Sequence, residues 1–82
     1  GPFEFKGLSA PVGKVDDLKR ISGISPKIEQ RLNDLGVFHF WQVAKFSKDE
    51  VGAIERKLRL NGRMQGEDWV GQARKLQDST ET

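Results

Sequence analysis

Residues 18–35, with the sequence LKRISGISPKIEQRLNDL, decide the fold of this protein. An apolar turn at the start of this stretch is followed by Gly23, which favours the positive φ that ends a helix. A second helix is predicted to begin at Pro26, because proline suits a first helical position and the side chain of Ser25 can cap the free amides. Gly36 is expected to end that second helix. The stretch therefore predicts a helix-hairpin-helix: two short helices joined by a tight turn.

Local signals predict three further helices. Apolar residues recur at helical spacing after Gly36, and Ser47 with Glu50 forms a capping box that begins the next helix. Asn61-Gly62 is expected to end it, and Glu67-Asp68 suits the first turn of the last helix. Beyond the N-terminal segment there is no alternating strand pattern. The expected class is all-α, a compact bundle of about five short helices of the SAM-like type that contains the hairpin.

The sequence is expected to hold one domain between two irregular ends. Residues 1–14 mix Gly, Pro and Ser with two Phe and predict a flexible tail or linker, in which Gly1-Pro2 resembles a protease-cleavage scar. Residues 15–77 carry the helical pattern. Residues 78–82 predict a polar tail.

The composition excludes several classes of protein. The 82 residues include no cysteine and one histidine, so neither a disulfide framework, nor a thiolate metal site, nor any cofactor is predicted. No membrane span or signal peptide is predicted, which favours a cytoplasmic location. His39 has no second metal ligand or nucleophile at a recognised spacing and is expected to pack or to start a helix. No catalytic residue is predicted, and an enzyme is not expected.

The hairpin is a candidate site for binding an anion. Its backbone N–H groups lie at the positive end of a helix dipole, where they can bind phosphate without reading bases. The alternative is a plain helix connection with solvated donors, which the net charge of only +2 favours. The candidate residues are Ser22, Gly23, Ile24, Ser25, Lys27 and Arg31.

A second basic cluster comprises Arg56, Lys57, Arg59 and Arg63. These cations would extend a phosphate-binding surface, but cations near a helix C-terminus also complement the helix dipole. The second interpretation is favoured.

Four aromatic residues crowd into nine positions of a small domain: Phe38, Phe40, Trp41 and Phe46. Trp41 is expected at the edge of a helix, where a half-exposed indole can anchor a protein partner, with Phe38 as a second anchor. The alternative is a rim residue that covers the core.

The residues from DDLK through the G-x-x-P-K turn to the closing GR, DW and QA pairs resemble a known family. They are similar to the helix-hairpin-helix-like domain at the C-terminus of the E subunit of bacterial NADH-quinone oxidoreductase, with related copies appended to certain large-subunit ribosomal proteins. The resemblance covers about residues 16–77. It implies a non-catalytic accessory domain, and any iron–sulfur chemistry would belong to another part of such a subunit.

The resemblance also implies a kind of partner. Nucleic-acid-binding hairpins of the wider family usually have glycine where Ser25 stands, and a polar residue is more usual at Trp41. Both differences favour protein partners, namely the other subunits of the parent complex, and a place peripheral to a membrane complex. The alternative is sequence-independent binding of a DNA or RNA backbone through the hairpin.

Overall fold

The computed structural model describes residues 3–80, which contain a 3-10 turn, five helices and no strand. The 3-10 turn is Leu18–Arg20, and the helices are α1 (Pro26–Asp34), α2 (Phe40–Ala44), α3 (Lys48–Leu58), α4 (Arg63–Gly66) and α5 (Trp69–Thr80). The all-α prediction is confirmed. None of the described helices is long and apolar enough to cross a membrane.

The hairpin is present, with a shorter first arm than predicted. The expected first helix is a 3-10 turn of three residues, and Gly23 follows it at φ +104°. Ser25 caps α1 as predicted, since its Oγ accepts from the Ile28 amide at 3.2 Å. After α1 the chain reverses at Gly36, where φ is +89°.

The capping box predicted at the start of α3 is confirmed. Ser47 Oγ accepts from the Glu50 amide at 3.1 Å, and the Glu50 carboxylate accepts from the Ser47 amide at 2.9 Å. The expected end of this helix at Asn61-Gly62 is wrong. The helix ends at Leu58, because Arg59 takes a left-handed conformation with φ +56°.

Helix α4 was not predicted, and a single side chain explains its start. The Glu55 carboxylate accepts from the amides of Gly62 and Met64, each at 2.7 Å. It thereby caps α4 from the preceding helix.

Asp68 lies outside α5 rather than in its first turn, at φ +50°, and its carboxylate accepts from the Gly71 amide at 3.1 Å.

One apolar core joins all of these elements. Helix α5 packs against α2, and the fully buried Trp69 and Ala73 lie on the inner face of α5. The largest other fully buried side chains are Leu18, Ile21, Leu32, Val37, Val43, Ile54 and Met64.

The N-terminal segment runs along this core without forming a helix. Phe5 is half-buried against it, with its ring centroid 5.6 Å from that of Phe46. The Leu8 amide donates to the Gly36 carbonyl at 2.9 Å. The flexibility expected of residues 1–14 stays a prediction, and Gly1 and Pro2 lie outside the described residues. At the other end, α5 continues to Thr80, so the first part of the expected polar tail is helical.

Gln42 organises the junction between α1 and α2. Its buried Oε1 accepts from the amides of Phe38 and His39, at 2.7 and 3.1 Å. Its Nε2 donates to the Gly36 carbonyl at 2.8 Å. Three backbone groups that precede α2 therefore depend on one side-chain amide.

We expect Gln42→Leu to lower the free energy of unfolding by about 2–4 kcal/mol, because it leaves buried backbone groups without a partner. Urea denaturation measures the change. The control Gln65→Leu, at an exposed position of α4, should change stability by less than about 0.5 kcal/mol. Equal effects of the two substitutions would contradict this role of Gln42.

Candidate nucleic-acid interface

The hairpin turn requires glycine at position 23. Its φ of +104° disfavours any side chain, and a Cβ atom there would overlap the carboxylate of Glu67. Glu67 is itself held in place, since Oε1 accepts from Trp69 Nε1 at 3.1 Å and lies 3.5 Å from Arg63 Nε. The turn therefore packs against Glu67, at the corner between α4 and α5.

Two more side chains from that corner bind the backbone of the turn. Arg63 Nη2 donates to the Gly23 carbonyl at 2.6 Å. Gln72 Oε1 accepts from the Ser22 amide at 2.7 Å, and Gln72 Nε2 donates to the Ser22 carbonyl at 3.2 Å. These bonds join residues 40 to 50 positions apart, and they fix the shape of the turn.

The turn keeps donors that no protein group uses. Within residues 3–80, the amides of Gly23, Ser25 and Lys27 have no hydrogen-bond acceptor. The Ile24 amide, in contrast, donates to the Ile21 carbonyl at 3.1 Å. The unused donors belong to the turn and the first turn of α1, where the helix dipole favours an anion.

Helix α1 carries two cations, Lys27 in its first turn and Arg31 in its last turn. Lys27 and Arg31 are exposed and lie four residues apart, so they share one side of the helix. Neither forms an ion pair within the described part of the protein. Both are therefore available to an external anion.

Lys19, close to the hairpin, is not available in the same way. Its ammonium group lies 2.8 Å from the carboxylate of Asp17 and 3.2 Å from that of Glu29. The pKa of Lys19 is raised chiefly by its hydrogen bond to Asp17 and secondly by its hydrogen bond to Glu29. The hydrogen bond between Lys19 and Asp17 also lowers the pKa of the Asp17 carboxyl. The charge of Lys19 is compensated internally.

The structure does not hold the second basic cluster together as one group. Arg56 and Lys57 lie exposed in the last turn of α3, and Arg59 follows as its left-handed cap. Arg63 instead binds the hairpin carbonyl and Glu67. It is a structural part of the hairpin, and a phosphate role for the other three stays a prediction.

The two predicted partner anchors lie on either side of His39. Trp41 is 36% exposed and stacks on the His39 ring at 5.7 Å, whereas Phe38 is half-buried with its ring 6.2 Å from that of His39. His39 is buried and precedes α2, so its expected role in packing at a helix start is confirmed.

Sequence inspection missed the side chains that fix the turn. Gln72 looks like an ordinary polar residue of the last helix, and Glu67 was expected to serve only the helix dipole. Their contacts with the hairpin link distant parts of the sequence, and no local spacing signals them. Within residues 3–80 no group of three or more His, Asp or Glu side chains is arranged to hold a metal ion.

Comparison with known proteins identifies relatives of the whole helical region. Residues 18–77 match the profile of the family described as RS2/RL21/YNQ2 HHH domain. The chain is 42% identical over 73 residues to small ribosomal subunit protein uS2 of Methylobacterium nodulans, a match that covers 89% of this chain and 20% of the relative. It is 47% identical over 72 residues to the uS2 protein of Rhodopseudomonas palustris, covering 88% and 21%. No solved structure shows significant similarity.

These findings correct the family assigned from sequence motifs. The resemblance to the E subunit of NADH-quinone oxidoreductase, and with it the role of an extension of that subunit, is wrong. Relatives whose matches cover 88–89% of this chain carry the name small ribosomal subunit protein uS2. The quoted motifs specify the turns and caps of the hairpin, and such a fold can be attached to unrelated proteins.

We expect Gly23→Ala to lower the free energy of unfolding by more than about 1–3 kcal/mol, the usual cost of a strained backbone conformation alone. The matched control is Gly62→Ala, since Gly62 also has positive φ, +83°, but no atom lies within 4 Å of a Cβ there. Thermal unfolding compares the two variants.

The difference between the two variants should shrink when Glu67→Ala is added, because that substitution removes the overlapping carboxylate. Equal losses in Gly23→Ala and Gly62→Ala would show that the contact with Glu67 does not constrain the turn.

Proposed function

The chain belongs to the RS2/RL21/YNQ2 HHH domain family, and we propose that it is a non-catalytic domain of a ribosomal protein that binds the RNA backbone through its hairpin. The proposed contacts are the amides of Gly23, Ser25 and Lys27 and the side chains of Lys27 and Arg31. Ser22 and Ile24 complete the turn as structural residues.

The relatives support the ribosomal context. They carry the name small ribosomal subunit protein uS2, and the chain spans about a fifth of their length. Ribosomal RNA and neighbouring ribosomal proteins are accordingly the proposed partners, in the cytoplasm.

The observation that carries the proposal is the set of unused amides beside unpaired cations. Phosphate oxygens accept hydrogen bonds from backbone N–H groups at a helix start, and Lys27 and Arg31 would neutralise their charge. Ser25 does not block this role. Its Oγ turns back to cap Ile28, and its own amide stays free.

The same geometry limits what the site can recognise. The turn presents backbone donors and two flexible cations, without a side chain positioned to read base edges, so binding would be independent of sequence. Because the site offers only two cations, Lys27 and Arg31, few phosphates are neutralised. We therefore expect weak binding with a modest salt dependence, a slope of log affinity against log salt concentration of about −1 for each phosphate contacted.

We predict that Lys27→Glu weakens binding to a short RNA duplex. It should also make the negative slope of log affinity against log salt concentration shallower by about 1, as expected for the loss of one phosphate contact. Fluorescence anisotropy of a labelled duplex, measured at several salt concentrations, gives both quantities.

The control for this variant is Lys48→Glu, which makes the same change of charge at an exposed first-turn position of α3. It should retain most of the affinity, because it alters net charge but not the hairpin. If both variants lose affinity equally, attraction is due to overall charge, and the hairpin is not the binding site.

A further inference from the structure

Trp41 is a large aromatic side chain that its neighbours cover only in part. Its ring stacks on His39 with centroids 5.7 Å apart and planes 11° from parallel. His39 is only 3% exposed, whereas Trp41 is 36% exposed. The buried imidazole therefore packs against the indole in an offset stack, Lys45 Nζ lies over the ring, and the remainder of the indole is exposed.

The His39 ring is itself fixed. His39 Nε2 accepts from the Val12 amide at 2.9 Å, and His39 Nδ1 lies 4.0 Å from the Asp16 carboxylate. That carboxylate also accepts from the Phe40 amide at 2.8 Å. Trp41 thus stacks on a ring whose position is set by the segment of residues 12–16.

The charge around the indole is positive. Lys45 Nζ lies 5.8 Å from the centre of the Trp41 ring, and Lys6 and Lys45 line a depression of about 200 Å³ with it. Glu50 is the acidic residue among those that line the depression, and its carboxylate accepts from the Ser47 amide at 2.9 Å, so the lining carries two positive charges against one negative charge. A partner that approaches Trp41 therefore meets an indole with one cation over its ring and a second cation lining the same depression, and a flat ligand that stacks on the ring displaces the flexible side chain of Lys45.

We propose that Trp41 stacks on an unpaired RNA base, while Lys6 and Lys45 contact the phosphates on either side of it. Any base offers a flat π-face to an aromatic side chain, and unpaired nucleotides are the part of RNA that can be stacked in this way. The cations favour a nucleic acid over an uncharged apolar peptide. This inference rests on the proposed RNA function and adds a single-stranded contact to the backbone contact of the hairpin.

Fluorescence tests the inference on the unaltered protein. The only other tryptophan is Trp69, which is fully buried, so a stacked base would quench the emission of Trp41 alone. We expect short oligoadenylate to quench part of the total emission in a saturable manner. An oligonucleotide of the same length with abasic sites should bind more weakly and quench little.

Substitutions then separate stacking from fold. Trp41→Ala should weaken oligoadenylate binding by roughly 5- to 100-fold, the range found for single base-stacking residues, and Trp41→Phe should restore most of the loss. Phe3→Ala, which removes an exposed aromatic ring that does not line the depression, is the control and should leave oligoadenylate binding unchanged. Circular dichroism establishes that each variant is folded.

The outcomes distinguish this inference from the proposed function. If an RNA duplex binds through Lys27 while oligoadenylate leaves the emission of Trp41 unchanged, base stacking is refuted and the backbone contact stands. Equal quenching by the abasic oligonucleotide also refutes stacking. If an acidic apolar peptide quenches Trp41 and RNA does not, the indole is a protein anchor, and the inference is wrong.

Discussion

The packing of the hairpin turn against the residues around the corner between α4 and α5 is the constraint on which the hairpin depends. It couples a turn in the first third of the sequence to the corner between α4 and α5, where Arg63 and Gln72 bind the same turn. Trp69 fills the core and also donates to Glu67. The packing of the last helix is therefore connected directly to the shape of the turn, and the hairpin is a product of the whole fold.

This arrangement has a consequence for binding. The corner uses the carbonyls of Ser22 and Gly23 and the Ser22 amide, and it leaves the amides of Gly23, Ser25 and Lys27 without internal acceptors among residues 3–80. The turn consequently keeps unused amide donors at the start of α1, beside Lys27, which is the arrangement that the proposed phosphate contact requires. Because the turn is fixed before a ligand arrives, little ordering is required when a phosphate binds.

Local chemistry explains what the sequence could predict. Ser25, Pro26 and the Ser47–Glu50 box act within four residues, so the starts of α1 and α3 are visible in the sequence. Glu55 instead caps α4 by accepting from amides seven and nine residues away, and Arg63 donates to the Gly23 carbonyl across 40 positions. Neither α4 nor the side chains that bind the turn could therefore be predicted from local sequence. The predicted resemblance to the E subunit of NADH-quinone oxidoreductase was wrong for a related reason, since motifs that specify turns are shared by domains attached to different proteins.

The most direct test of the central claim is an NMR titration of the protein, labelled with nitrogen-15, with a short RNA duplex at low salt. We predict that the Gly23, Ser25 and Lys27 amide signals shift together along one binding curve, and that the internally bonded amides of Ile24 and Ile28 shift less. A duplex that binds while these three signals remain unmoved would contradict the claim, because the backbone contact would then lie elsewhere on the molecule.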